Sequence, residues 1–239
     1  MRVELYNSIP EFEGTGVHGA AALVVDVIRA TSTLTEALAN GARAVTPVLS
    51  AEEAIRIANS LGRDETVVCG ERKGLPIEGF DLGNSPLEFT PQVVRGRQLV
   101  MTTTNGTRAF IAVQEAELVV AASFLNLSAA AKSVKDAERV VILCAGKEDR
   151  LSLDDTLCGG HLVGKLVKGR RKDCQLNDGA FAALTLSEAL KPSAPLFAKI
   201  AAGRALVDIE LKADLHFCAQ VDRHDLAPVM TDRVIRAGR

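Results

Sequence analysis

Four polar segments of the chain concentrate residue types suited to phosphate-like anions and metal ions. They are Asp26 to Thr33 (DVIRATST), Gly70 to Pro86 (GERKGLPIEGFDLGNSP), Thr102 to Arg108 (TTTNGTR) and Ala145 to Asp155 (AGKEDRLSLDD). Together they hold six of the 28 basic and eight of the 30 acidic residues. Enrichment in both signs suits a polyanion bound with a divalent cation, since the cation needs oxygen ligands and the anion needs donors. Mg2+ takes one or two carboxylates, with waters and phosphate oxygens completing its shell. Asp26, Asp154 and Asp155 are the candidate ligands. Asp26 directly follows an apolar run, where an unpaired charge is costly. Glu71 is either a further ligand or a base for water. Whether Asp26 anchors metal or attacks phosphorus itself stays open. Structural uses exist for the same residues: Asp155 can cap the helix that follows it, and Asp26 can pair with Arg29.

The anion side has its own candidates. Arg29 and Arg72 suit two-pronged contact with oxyanions, with Lys73 and Lys147 nearby. Asn84 offers an amide. Thr103, Thr104, Asn105, Gly106 and Thr107 combine hydroxyls, a turn glycine and the free amides of a helix start, with Arg108 beside them. Thr31, Ser32 and Thr33 repeat this arrangement next to Arg29. Such clusters also serve as plain helix caps.

Other phosphate chemistries fit less well. Cys144 and Arg150 have the spacing of a cysteine-phosphatase loop. Glu148 and Asp149 would sit inside that anion cradle, and Leu143 replaces the usual histidine. A nucleophilic Cys144 is kept as an alternative to a buried, inert thiol. An aspartyl-phosphate mechanism needs a second aspartate two residues after Asp26, where Ile28 stands. No glycine-rich dinucleotide fingerprint and no P-loop is present. Gly160 and Gly164 suit close helix packing. The four histidines are scattered, and His161 and His216 read as structural.

The elements that must position these residues are legible as alternating patterns. Short apolar runs predict strands at Ala22 to Val25, Ala44 to Val48, Thr66 to Cys69, Gln98 to Met101, Leu118 to Ala121, Val140 to Cys144 and Leu215 to Ala219. Continuous apolar runs suit strands covered on both faces. Helical spacing predicts Thr33 to Asn40, a helix after the capping box Ser50 to Glu53, and Gly106 to Glu115. Further helices are expected at Ser128 to Ala137, Asp155 to Lys168 and Asp178 to Leu190. The strand signal fades over Lys172 to Gly203. The alternation predicts a three-layer α/β/α fold with a largely parallel or mixed sheet. One unit over residues 1–239 is expected, with two similar α/β subdomains, about 1–125 and 126–239, as the other division. In a parallel sheet all four polar segments leave at the carboxyl edge, where such folds place ligands.

Composition excludes several classes. With 47% apolar residues the chain is not disordered. A net charge of −2 and the absence of Trp argue against nucleic acid as a partner. The longest apolar runs fall far short of the ~18 residues that cross a membrane, and no signal peptide is expected. Five cysteines without a close pair suggest a reducing, cytoplasmic setting. The small-residue helices are compatible with a homodimer. A non-catalytic module that binds small anions is the alternative to an enzyme.

Taken together, the four segments resemble the 2-phosphosulfolactate phosphatase family of coenzyme M biosynthesis. The resemblance rests on DVIRATST at Asp26, the long motif from Gly70 to Pro86, TTNGT at Thr103, CAG at Cys144 and SLDDT at Ser152. The stretch from Leu215 to Asp222, followed by Pro228, is also similar. Asp154 stands where the family usually carries Glu. The resemblance implies a Mg2+-dependent phosphatase with a three-layer fold. Its small polyanionic phosphate-ester substrate, 2-phosphosulfolactate or a similar phosphorylated hydroxy acid, would call on several of the cations named above.

Overall fold

A computed structural model describes residues 1–169 and 173–238. The strands are β1 (Arg2–Tyr6), β2 (Ala21–Val25), β3 (Ala44–Pro47), β4 (Thr66–Arg72), β5 (Leu75–Pro76) and β6 (Gln98–Thr102), then β7 (Leu118–Ala122), β8 (Arg139–Cys144), β9 (Gln175–Leu176), β10 (Pro228–Thr231) and β11 (Val234–Ala237). The helices are α1 (Ile9–Phe12), α2 (Ala30–Ala39), α3 (Ala51–Leu61), α4 (Pro91–Val94), α5 (Gly106–Ala112) and α6 (Leu127–Ser133), then α7 (Leu153–Val167), α8 (Asp178–Ala189), α9 (Ala194–Phe197), α10 (Ala201–Asp208) and α11 (Ala213–Cys218). None of the described helices is long and apolar enough to cross a membrane.

One mixed sheet runs through the molecule in the order β5-β4-β6-β3-β11-β10-β7-β2-β8-β1-β9. Its apolar strands are covered on both faces. Leu23, Val25, Ile142 and Cys144 pack into one core with α7 and α8. Their neighbours Ala22, Val24, Val141 and Leu143 pack into a second core with α2 and α5. Alternate residues of a strand point to opposite faces, so a continuous apolar run feeds two cores at once. The three layers α/β/α follow. Gly160 lets α7 and α8 pack closely, since a Cβ there would lie 2.0 Å from the Ala183 carbonyl oxygen on α8.

The sheet is mixed, one of the two expected forms, with an antiparallel hairpin in its middle. β4, β6 and β3 are mutually parallel, as are β7, β2, β8, β1 and β9. The antiparallel hairpin β10–β11 joins the blocks, pairing antiparallel to β7 on one side and to β3 on the other. The two blocks therefore run in opposite senses. They also interleave in sequence, because β1 and β2 sit with β7, β8 and β9.

Local boundaries shift in ways that matter for the site. The expected strand Leu215 to Ala219 is α11 instead. Asp214, Leu215, Phe217 and Cys218 are buried and His216 is exposed, a helical rather than a strand pattern. α2 begins at Ala30, three residues before the expected start, so Thr31, Ser32 and Thr33 lie within its first turn. α7 begins at Leu153, which puts Asp154 and Asp155 in its first turn. Lys172 lies outside the described residues. The stretch of faded signal after it forms β9, α8, α9 and the start of α10.

Candidate active site

The ends of β2, β4, β6 and β8 border a cavity of about 500 Å3. From the four polar segments its walls take Asp26, Arg29, Glu71, Lys73 and Asn84. They also take Thr103, Thr104, Asn105, Lys147, Asp154 and Asp155. α10 closes one side with Ala202, Ala205 and Leu206, and Ile28 adds to this apolar wall. The polar segments thus meet although the two parallel blocks run in opposite senses.

Three aspartates form the acidic floor. Asp26 leaves β2 and turns its Oδ1 onto the Ala30 amide at 3.2 Å, closing the turn into α2. A Cβ on Gly106 would lie 2.8 Å from Asp26 Oδ2 and 2.5 Å from the Ala30 Cβ, so only glycine lets α5 approach this carboxylate. Asp155 is a bridge. Its Oδ1 accepts from the Val27 amide at 2.7 Å and its Oδ2 from the Gly146 amide at 3.1 Å, joining the ends of β2 and β8. Asp154 accepts from the Ser152 hydroxyl.

Burial dominates the electrostatics. It pushes Asp26 up to about 7; the Ala30 amide and the Arg29 charge pull it down, and Asp154 and Glu71 repel its ionised form. Burial also raises Asp154, against the Ser152 hydrogen bond and nearby amides. Asp155 is raised well above the usual range by burial, then by the charges of Asp154 and Asp26.

Glu71 organises the opposite side. Its Oε2 accepts from the Gly74 amide at 2.7 Å and its Oε1 from the Thr104 amide at 2.8 Å. Both oxygens hold backbone, so Glu71 acts on the site through the β4–β5 turn and the Thr103–Asn105 loop. Thr107 lies outside the cavity wall and fastens that loop. Its amide donates to Thr103 Oγ1 at 3.2 Å, and its hydroxyl donates to the Thr103 carbonyl at 3.0 Å.

Arg29 is held deep in the wall. Its Nη1 donates to Asp214 Oδ2 at 2.7 Å and its Nη2 to the Gly74 carbonyl at 2.6 Å. Asp214 Oδ1 accepts from the Ser85 hydroxyl at 2.6 Å. The partner of Arg29 is thus Asp214, not Asp26, whose pairing with Arg29 was the structural alternative to metal binding. Asp214 carried no signal, because the run after it suggested a strand. The α10 wall was missed for a similar reason: its small apolar residues carry no chemistry of their own.

Other candidates are placed elsewhere. Arg72 does not line the cavity; its guanidinium donates to the Glu71 carbonyl at 2.8 Å and to Thr102 Oγ1 at 3.0 Å. Arg108 pairs with Asp149 at 3.0 Å. Thr31, Ser32 and Thr33 make no anion cradle. Their hydroxyls donate to the carbonyls of Asp26, Val27 and Asn84 at 2.7, 2.8 and 2.8 Å. Cys144 is fully buried, and burial followed by the Asp155 charge raises its thiol well above the usual range. That is the setting of an inert thiol rather than a nucleophile.

The donor set fits a hard cation. The cavity is lined by the carboxylates of Asp26, Glu71, Glu148, Asp154 and Asp155 against the cations Arg29, Lys73 and Lys147, one of which is already paired with Asp214. The buried Asn84 Oδ1 has no hydrogen-bond partner. Among the described residues no three acidic, His or Cys side chains close around a common point. A site with fewer protein ligands is what Mg2+ uses when substrate phosphate and water complete its shell.

Comparison with known proteins identifies the family. The sequence profile of the 2-phosphosulpholactate phosphatase family matches residues 8–233. A protein of Clostridium acetobutylicum named probable 2-phosphosulfolactate phosphatase is 38% identical over 236 residues, 97% of this chain and 98% of that protein. Proteins of the same name are 37% identical in Caldanaerobacter subterraneus, covering 99% of this chain and 97% of theirs, and 40% identical in Symbiobacterium thermophilum, covering 90% and 92%. The chain belongs to the 2-phosphosulfolactate phosphatase family.

Proposed function

We propose that this cavity hydrolyses the phosphate ester of 2-phosphosulfolactate, or of a similarly phosphorylated small hydroxy acid, to the free alcohol and phosphate. The enzyme is a phosphoric monoester hydrolase. The observation that carries the site reading is the meeting of buried Asp26 and Asp154 with Arg29, Lys73 and Lys147 around one cavity. A phosphate ester brings a charge of about −1.5 to −2, and a sulfonate and a carboxylate add more. Arg29, Lys73 and Lys147 bind these oxyanions, and the Thr103–Asn105 loop offers hydroxyls and amides to one of them. Glu71 keeps that loop in register with Gly74. The apolar wall of Ile28, Ala202, Ala205 and Leu206 faces the carbon skeleton and keeps water from that side. Asp26 and Asp154 would hold Mg2+, with Asp155 fixing the backbone between them. Such an ion supplies charge neutralisation and polarisation of the phosphoryl group. Five free cysteines support a cytoplasmic location.

The test is phosphate release from a panel of monoesters that includes 2-phosphosulfolactate, with and without EDTA. Release from 2-phosphosulfolactate that EDTA abolishes and added Mg2+ restores is the expected result. No release from any ester would favour a small-anion-binding module. Release that survives EDTA would remove the metal from the reading.

A further inference from the structure

Asp214 stands outside the four polar segments, yet it is 1% exposed and makes two short hydrogen bonds at the cavity wall. We propose that Asp214 is a positioning residue that sets the Arg29 guanidinium to receive an oxyanion; the proposal rests on the phosphate-ester reading of the cavity. Arg29 carries five N–H donors in a rigid plane. Asp214 on α11 takes one, and the Gly74 carbonyl in the β4–β5 turn takes another. A planar group fixed at two points on different nitrogens cannot rotate, so its remaining donors keep one direction. Arg29 lines the cavity while only 4% exposed.

The anchor is itself anchored. Ser85, at the end of the longest motif, donates to the other Asp214 oxygen at 2.6 Å. A Cβ on Gly74 would lie 2.9 Å from Ile209 Cδ1, so the turn that supplies the second acceptor is packed against the chain leading to α11. Two segments distant in sequence from Arg29, the Gly70 to Pro86 motif and α11, therefore converge on its guanidinium. A buried arginine without a counter-charge is strongly unfavourable, and the Gly74 carbonyl alone does not supply one. Such fixation counts in catalysis, because misplacing a contact by about 1 Å can cost about 10²-fold in rate.

A mere structural staple would also be buried and paired, so the test reads coupling. Isothermal titration with inorganic phosphate, in the presence of Mg2+, compares wild type, Arg29→Gln, Asp214→Asn and the double variant. Each single change is expected to weaken phosphate binding by about 10-fold or more. The double variant is expected to bind within about two-fold of Arg29→Gln alone, because Asp214 acts through Arg29. Wild-type affinity in Asp214→Asn, losses that multiply in the double variant, or a wild type that takes up no phosphate would each overturn the proposal. Should Asp214→Asn not fold by circular dichroism, Ser85→Ala replaces it, leaving the ion pair but freeing the second Asp214 oxygen. At least about three-fold weaker phosphate binding is then expected, and unchanged affinity overturns the proposal. Coupled phosphate binding in a protein that releases phosphate from no ester would leave Asp214 in this role while defeating the phosphatase reading. Turnover with uncoupled losses would do the reverse.

Discussion

Glu71 fixes Thr104: its Oε1 accepts from the Thr104 amide at 2.8 Å, joining the end of β4 to the loop after β6. The other oxygen takes the Gly74 amide at 2.7 Å, so one carboxylate sets two loops that face the same cavity. This arrangement assigns Glu71 a supporting part, where its residue type alone suggested a base or a metal ligand.

Glu71→Gln tests that assignment. A glutamine offers one acceptor oxygen, and its NH2 must face one of the two amides. Loss of a hydrogen bond to a charged group costs about 1.5–3 kcal/mol, which lowers Tm by roughly 3–10 °C in a chain of this size. We expect kcat/KM to fall by about 10-fold or more as the Thr103–Asn105 loop loosens. Thermal melts and initial rates measure both. Lost activity with an unchanged melt would return Glu71 to the chemistry.

Asp26→Asn is expected to separate stability from activity. Burial holds the Asp26 carboxyl at about 7, against 3.8 for the ordinary group. The native state therefore binds this proton more tightly than the unfolded chain, and stability falls as pH rises from 3.8 towards 7. Asparagine has no such loss. In EDTA at pH 7.5 the variant should melt several degrees above wild type, with the difference vanishing near pH 4. With Mg2+ present, kcat should fall by at least about 10²-fold. A variant with near-normal turnover would take Asp26 out of the mechanism.

Cys144 supplies a negative control. The thiol is fully buried and held in its protonated form at neutral pH. Iodoacetamide on the folded enzyme should leave phosphate release unchanged over a time that alkylates free glutathione. Cys144→Ser should retain kcat within about two-fold, apart from any effect on the melt. Inactivation that tracks alkylation of Cys144 would revive the cysteine mechanism.

How much the sequence disclosed depends on the range over which each contact acts. β2, β4, β6 and β8 were legible because runs such as Val140 to Cys144 are apolar without interruption, as burial on both faces demands. The polar segments were legible for the same reason: Asp26 just after β2 and Glu71 near the end of β4 put a charge at the edge of an apolar run. The α11 segment was not, since Leu215 to Ala219 is apolar enough for a strand, and only the exposed His216 between buried neighbours marks the helix. The reversal between the two parallel blocks depends on the pairing of β10 and β11 with β7 and β3. Each of these pairings is far apart in sequence, and no local pattern encodes it. The Arg29–Asp214 pair spans 185 residues and was hidden likewise.

The last prediction concerns a tie behind the site. Glu36 on α2 accepts from the Asn40 amide at 2.9 Å, lies 2.5 Å from His224 Nε2 and 3.5 Å from Arg223 Nε. Burial works to raise the Glu36 carboxyl, but the His224 hydrogen bond and charge, with Asn40 and Arg223, hold it below its ordinary value of 4.5. A depressed acid stabilises the fold above its unfolded value, and that stability is lost as pH falls through the folded value. Glu36 should therefore contribute a loss of Tm as pH falls below 4.5. His224→Ala removes the strongest partner. It should cost about 1.5–3 kcal/mol at pH 7, or roughly 3–10 °C, and flatten the acid limb of the Tm profile. His224→Gln keeps a donor without the charge and should fall between the two. His224 lies outside the cavity wall, so kcat at 25 °C should hold within about two-fold in both variants. Melts from pH 3 to 8 and rates at pH 7 check the pair of outcomes. An acid limb as steep in His224→Ala as in wild type would assign the depression of Glu36 to its other partners.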